Sequence, residues 1–535
     1  MVRKKGSESK TKTNASVTVG PDEFEVQHAA ARTDRKLKIL GMSNHPGMVT
    51  GFGNQFRSIL MALRDAGHEV MTVAQHSRTM SCYGSRFVEG CRYDHDTWEP
   101  DPNYIVDFSG IRLLPHFGQN WGNECMPFYI DRFKPDVVLT MGDLWTYTYL
   151  MNPAKVPDNV GMDKSKLIPR TVDHPWVWVA YLPFDTMNST GKWDFDIART
   201  DYPVIMSQFG TNLCRSRGMS HMTYIPHGHR TDVFRPITRD QRAKLRSQYT
   251  VRDRSGKETT LKDTDFVVGI VAHNQFRKEM DRSFHAFGKF YLMMGKPDNI
   301  KLIAHTEPIQ TNQAIPGWNL VEIARDYGYY DAVYFSDRGG KTVADIFNAD
   351  EDMAELYQLM DAHLLLTGGE GWGLPITESM ACGIPNVSSW YTTAIEFFGL
   401  DLDDPKHRQS NVFEDVGIGD GDFHPEIKYE IPDGKVERLK VRGIGIPLDT
   451  THDHHNGGKW GLANTLTGAK ALKYLYENPD IAVKMGDRAR DHVVKHYDWS
   501  VVKQRWVEFI ESVKPDMKFY RKESDNNGKI VFFQP

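Results

Sequence analysis

Thr367-Gly-Gly-Glu-Gly-Trp-Gly-Leu-Pro-Ile-Thr-Glu-Ser-Met-Ala-Cys-Gly-Ile-Pro385 carries more structural information than any other part of this 535-residue chain. The apolar run His363–Leu366 before it reads as a buried strand. Gly368, Gly369, Gly371 and Gly373 then let the backbone turn sharply and approach a ligand closely. Pro375 suits the first helical turn, and Gly383 followed by Pro385 suits a helix stop. A short helix is therefore expected to aim its N-terminus at the carboxyl end of a strand. Its free N–H groups and its dipole favour an anion there. Glu370 falls in the loop and Glu378 early in the helix. A carboxylate beside an anion site is unfavourable unless it has another task, such as accepting hydrogen bonds from sugar hydroxyls.

Two further glycine- or cation-bearing turns follow strands. Ala272-His-Asn-Gln-Phe-Arg-Lys278 ends the strand Phe266–Ala272 and opens a helix, so Arg277 and Lys278 are placed to meet a diphosphate. Each cation at about 4 Å from a phosphate charge contributes about 4 kcal/mol at an effective dielectric near 20. Gly47-Met-Val-Thr-Gly-Phe-Gly-Asn54 lies between the first strand, Leu37–Ser43, and the first helix. It imitates a dinucleotide fingerprint but fails twice. Phe56 replaces the third glycine, and the second strand ends at Ala74-Gln-His without a ribose-binding acid.

Along the chain, strands Val70–Ala74, Val137–Thr140, Trp176–Leu182, Val204–Ser207 and Thr223–Ile225 alternate with helical stretches. After a polar interval the pattern restarts with Phe266–Ala272, Lys301–Ala304, Ala332–Phe335 and His363–Leu366. This alternation predicts an α/β protein with two Rossmann-like parallel-sheet domains facing a cleft. The expected division is a basic disordered tail over 1–33 and an N-terminal Rossmann-like domain over 34–238. A linker over 239–264 leads to a second Rossmann-like domain over 265–498. An aperiodic Asp/Gly/Pro-rich insertion at 401–442 interrupts that domain, and a returning helix and tail fill 499–535.

Composition narrows the class. The chain is 40% hydrophobic and 25% charged with net charge −5, which excludes a globally basic nucleic-acid binder. Its five cysteines form no C-x-x-C pair, so neither a disulfide framework nor a cysteine zinc site is expected. No apolar run is long enough to span a bilayer, and no secretory signal is visible. A cytoplasmic protein, free or peripheral to a membrane through the cations of its first residues, is the expectation. The cluster His452-Asp-His-His455 fits no helix-face ligand pair, and no metal site is expected.

The string Gly369-Glu-Gly-Trp-Gly-Leu-Pro, with Glu378, Ala381-Cys-Gly and Pro385, resembles the E-x7-E signature of retaining GT-B glycosyltransferases, specifically glycosyltransferase family 4. Ile225-Pro-His-Gly-His-Arg-Thr-Asp-Val-Phe-Arg-Pro236 resembles the family's I-P-N-G-V-D-x-x-x-F-x-P segment, with His229 and Arg230 as departures. The resemblance implies a GT-B fold and a nucleotide-diphosphate sugar as donor substrate, with no cofactor and no essential metal. It implies that Glu378 binds ribose and that Glu370 orients the donor sugar. Backbone amides at Gly373, Leu374 and Thr377 would meet sugar and phosphates, and Tyr334 and Phe335 would lie near the base. The resemblance makes 34–238 the acceptor-side domain and 265–498 the nucleotide-sugar domain. Arg277 and Lys278 would bind the diphosphate while Gly51 and Gly53 close over it, Gly53 making the close approach. Asp185 stands where the family often places a histidine, and Asp143, His174 and His45 are further cleft candidates. The acceptor is left open among glycan, lipid, protein, small molecule and modified nucleic acid. Competing readings are a phosphorylase- or epimerase-type GT-B enzyme and a non-catalytic nucleotide-sugar-binding protein.

Overall fold

Strands with apolar residues on both faces need cover on both sides, and the computed structural model shows two such sheets. The structure describes residues 36–514, apart from 48–49, 76–105, 117–120, 154–155, 157, 161–162, 172, 188–190, 253–257, 311–315, 337–349, 400–401, 404–425, 431–435 and 454–457. The basic N-terminal tail, most of the insertion and His454–His455 lie outside the described residues.

The first sheet contains β1 (Lys38–Asn44), β2 (Glu69–Gln75), β3 (Val106–Phe108), β4 (Ile111–Pro115), β5 (Val137–Met141), β6 (Val177–Leu182), β7 (Tyr202–Ile205) and β8 (Thr223–Tyr224). Its order is β3-β4-β2-β1-β5-β6-β7-β8, and only the β3–β4 pair is antiparallel. The two-residue period of a strand is plain in β6. Val177, Val179 and Tyr181 join one apolar core, while Trp178, Ala180 and Leu182 join another on the opposite face. The helix Gly51–Asp65 covers one face with Phe56, Ile59, Leu60 and Leu63, and Thr50 caps it by accepting from Gly53 N.

Two short strands, β9 (Thr250–Arg252) and β10 (Glu258–Thr260), form a separate antiparallel pair before the second sheet. That sheet contains β11 (Phe266–Val271), β12 (Ile300–His305), β13 (Val333–Phe335), β14 (Ala362–Leu365), β15 (Asn386–Ser389) and, beyond the β16–β17 hairpin (Glu426–Glu430, Val436–Lys440), β18 (Ile444–Ile446). All its pairs are parallel, in the order β13-β12-β11-β14-β15-β18. A last hairpin, β19 (Leu448–Asp453) with β20 (Lys459–Ala463), lies beside it. The helix Trp499–Ser512 returns to the first domain, where Trp506 packs edge-on against Tyr181 at 4.8 Å. Among the described residues no helix is long and apolar enough to cross a membrane.

Two stretches are more ordered than their composition suggests. The polar 239–264 stretch opens with a helix, Arg239–Gln248, started by a Thr238/Gln241 capping box. Arg246 from that helix is fully buried, donating to Leu359 O and Asp265 O and pairing with Asp361 at 2.7 Å. It fastens this stretch to the second domain, a role that a charged residue in a polar sequence does not advertise. The 401–442 stretch, expected to be aperiodic, contains the β16–β17 hairpin. His174 also departs from expectation. It precedes β6 and its Nε2 meets Pro135 O at 2.9 Å, just before β5. That is the amino end of the sheet, away from the cleft.

Candidate active site at the facing sheet edges

In an open parallel sheet, ligands bind beyond the carboxyl ends of strands where the strand order reverses. In the second sheet that reversal falls between β11 and β14. The chain leaves β11 into Asn274–Lys278 and leaves β14 into Thr367–Gly373. Topology therefore brings together the two sequence motifs, although they are separated by 92 residues.

The second motif folds into a loop and the helix Leu374–Ala381. Gly373 at its N-cap has φ +98°, a left-handed conformation that glycine adopts without strain, and Pro375 lies in the first turn. The helix ends with Gly383 N bonded to Met380 O and Ile384 N to Ser379 O, a Schellman turn. Gly369 lies where the two domains are in close backbone contact. A Cβ built there would stand 1.9 Å from the carbonyl oxygen of Asp185, in the loop after β6. Gly369→Ala is therefore expected to hold the domains apart, cutting donor turnover at least tenfold while the separate domains stay folded. Small-angle scattering of a variant that keeps the parent's dimensions and activity would refute this.

Lys278 Nζ meets both oxygens of Glu370, at 2.6 and 2.7 Å. Arg277 Nη1 donates to Gly369 O at 2.7 Å and lies 3.7 Å from Glu370 Oε2, while its Nε lies 3.7 Å from Asp185 Oδ2. Burial alone would push the Glu370 carboxyl up, but Lys278 and Arg277 outweigh it and hold the group below the ordinary carboxylate range. Burial pulls the Lys278 ammonium below its ordinary value, with Glu370 opposing. For Arg277, the charges of Glu370, Asp185 and Asp143 overcome burial and raise it. The cluster is nearly neutral. Lys278 keeps one N–H beyond its two bonds to Glu370, which suits an arriving anion.

Glu378 is half-buried and accepts from Tyr357 OH at 2.9 Å through Oε2. Burial, helped by the nearby Asp350 charge, pushes its carboxyl up to about 7. Tyr334 and Phe335 end β13, at the sheet's edge. Tyr334 is buried, and Phe335 stacks on Phe284 at 6.0 Å. Gly51 and Leu374 face one another across the domains, since a Cβ at Gly51 would meet Leu374 Cδ1 at 2.9 Å. Gly53, in contrast, is buried in the helix start, and its N–H is already bonded to Thr50 Oγ1. Of the two glycines, Gly51 is the one turned toward the second domain. His45 is also buried in this first loop, with Nδ1 accepting from Gly47 N.

Three residues of the site gave little or no signal in the sequence. His229, a departure from the family pattern, meets Thr377 Oγ1 at 2.8 Å through Nε2 and receives Trp372 Nε1 at 3.4 Å. It is buried, which drives its pKa down to about 3 and keeps it neutral. Thr392 supports Glu370 directly, its Oγ1 accepting from Glu370 N at 3.0 Å. It holds φ +51°, an unfavourable conformation for a β-branched residue. Glu396 joins the domains. Its Oε2 accepts from Gln208 N and Phe209 N at the start of the helix Gln208–Ser216, and its Oε1 from Tyr224 OH and Tyr497 OH. Asp143, by contrast, was expected in the cleft and stands there, following β5 near Asp185 and Arg277.

Two Rossmann-like domains facing one another across such a cleft define the GT-B fold. Among solved structures the chain is similar to sucrose-phosphate synthase from Thermosynechococcus elongatus, at 14% identity over 89% of this chain and 98% of that one, with TM-score 0.54. It is similar to Anabaena Alr3699/HepE in complex with UDP-glucose, at 13% identity over 89% of this chain and 100% of that one, with TM-score 0.53. A glycosyltransferase from Rickettsia africae is similar at 12% identity, covering 89% and 98%, with TM-score 0.52. No protein-family profile matches the sequence, and no curated protein matches it.

Proposed function

We propose that the chain is a retaining glycosyltransferase that moves a sugar from a nucleotide-diphosphate donor to an acceptor hydroxyl. The observation that carries this reading is the buried Lys278–Glu370 pair, flanked by Arg277, at the strand-order reversal of the second sheet. A bound diphosphate would share Lys278 and Arg277 with Glu370. As the bond from the sugar's anomeric carbon to the diphosphate breaks, negative charge builds on the leaving oxygen. Cations already in place then hold it better than they hold the bound donor, which lowers the barrier. The acceptor oxygen bonds to the anomeric carbon on the same face, and its proton passes to the departing phosphate oxygen. Glu370, held by Lys278 and Thr392, orients the sugar rather than attacking it. Asp185 faces the same space from the first domain.

Glu378 Oε1 has no protein partner among the described residues and would accept from ribose. The amides of Gly373 and Leu374 open the helix toward the phosphates, whereas the Thr377 amide, expected to join them, is already bonded to Gly373 O at 3.2 Å. Gly51 closes over them, with Gly53 fixing the helix start behind it. Tyr334 and Phe335 mark the strand end nearest the base. The chemistry needs no metal ion, because the two cations are supplied by the chain. HepE is described in complex with UDP-glucose, which makes uridine diphosphate the first nucleotide to test. Thermal melts with UDP, GDP and ADP are expected to show one nucleotide raising the midpoint. At a hundred times its Kd that nucleotide adds about 2.7 kcal/mol. Slow hydrolysis of the matching nucleotide sugar is expected as well. Stabilisation by none of the three overturns the reading, and binding without hydrolysis or transfer favours a sensor instead.

A further inference from the structure

Most large apolar side chains in the described structure are buried. Three exposed aromatics stand out among the described residues: Trp121 at 41%, Trp145 at 49% and Phe276 at 43%. A contiguous exposed apolar surface generally marks a site of binding, and two of the three, Trp121 and Trp145, meet, whereas Phe276 lies against Trp318. Trp145 follows β5 by a few residues and Phe276 immediately precedes Arg277, so both border the cleft at the carboxyl ends of strands.

Trp121 and Trp145 form a pair, with ring centres 5.8 Å apart and planes at 85°. The pair is held in place. Tyr149 OH donates to Trp121 O at 2.9 Å, and the adjacent Gly122 lies against Met42 at the end of β1. Two indoles at right angles make a corner with one open face and one wall. Between the corner and the reacting groups stands Asp143. It is exposed, and its carboxyl interacts with Trp145 two residues along the chain.

We infer that Trp121, Trp145 and Asp143 form the acceptor subsite, and that it takes a neutral sugar ring. This rests on the glycosyltransferase reading above. The face of a pyranose carries axial C–H groups that pack on the negative face of an indole, and its edge carries hydroxyls that a carboxylate accepts. Asp143 disfavours the phosphates of nucleic acid and of anionic lipid there, while Asp185 is occupied by Arg277 at 3.7 Å. A phosphate-rich acceptor would meet the wrong charge there, whereas a glycan or glycoside meets matched chemistry.

The test uses the full chain with UDP present. Saturation-transfer NMR probes are maltose, cellobiose and sucrose, and a DNA duplex and phosphatidylglycerol vesicles are assayed in parallel. At least one disaccharide is expected to bind. Trp145→Ala should weaken that binding at least tenfold, Trp145→Phe should restore most of it, and Val483→Ala, on a distant exposed helix face, should change nothing. Circular dichroism and thermal melts establish that each variant is folded. The absence of disaccharide binding overturns the proposal, as does binding that Trp145→Ala leaves intact, or Trp145-dependent binding of DNA or vesicles alone. A UDP-induced melting shift without sugar binding removes the subsite but spares the donor reading. Sugar binding at Trp145 with no nucleotide-induced shift does the reverse.

Discussion

Glu370→Gln lowers turnover of the nucleotide-sugar donor by about a hundredfold to a thousandfold, the usual effect of deleting one preorganised polar group from a transition state. The stability effect is just as specific. The Lys278 side chain is 12% exposed and that of Glu370 is 6%. Removing one member of such a buried pair leaves the other charge uncompensated and typically costs about 3–5 kcal/mol. The variant is therefore expected to melt well below the parent. Glu370→Gln combined with Lys278→Met removes both charges and should recover much of that stability without recovering turnover. UDP affinity in Glu370→Gln should hold or rise, because a carboxylate beside the diphosphate has been removed. Melting curves, UDP titration and donor hydrolysis on the three proteins separate these effects. Turnover within about threefold of the parent in folded Glu370→Gln would deny this carboxylate its role.

Glu396→Ala is the second large effect, and it falls between the domains rather than on the chemistry. The substitution strands Gln208 N and Phe209 N, both buried at a helix start, along with the hydroxyls of Tyr224 and Tyr497. Each buried donor left unpaired costs about 1–3 kcal/mol, so the loss should exceed that of most surface changes several times over. Glu396→Gln is gentler, since its carbonyl can face the backbone amides and its NH2 the tyrosine oxygens. The pH dependence distinguishes this role from plain packing. Burial raises the Glu396 carboxyl from 4.5 to about 7, against hydrogen bonds that lower it. The folded state therefore keeps a proton that the unfolded state releases. The stability from that proton is fully present below about 4.5 and is lost as pH rises through about 7. Melting-point differences, Glu396→Gln minus parent, should thus grow more positive from pH 5 to pH 8. A flat difference would show that Glu396 does not exchange a proton in this range.

The legible parts of this protein were those in which local chemistry and tertiary role coincide. Gly373 and Pro375 mark a helix start because backbone geometry demands such residues at those positions, wherever the helix is placed. The continuous apolar run of β6 predicts a doubly covered strand for the same kind of reason. Arg246 was illegible because its partners, Leu359 O, Asp265 O and Asp361, are brought to it only by folding. His174 was misplaced because a sequence motif carries no mark of which end of a sheet it occupies. Glu396 looked like an ordinary helical acid, and nothing local distinguishes a solvated glutamate from one holding donors of two domains.

The sequence alone determined two parallel-sheet domains, the loop-to-helix turn at Gly373, and a short roster of charged residues beside it. These follow from periodicity, from glycine and proline stereochemistry and from the free amides of a helix start, all of which act within a few neighbouring residues. The tertiary structure decided which of those charges meet. Lys278 clasps Glu370 because β11 and β14 are adjacent in the sheet, and Asp185 reaches Arg277 because the second domain closes on the loop after β6. Pairing of that kind depends on distance in space, and strand order and domain closure set that distance where separation along the chain does not.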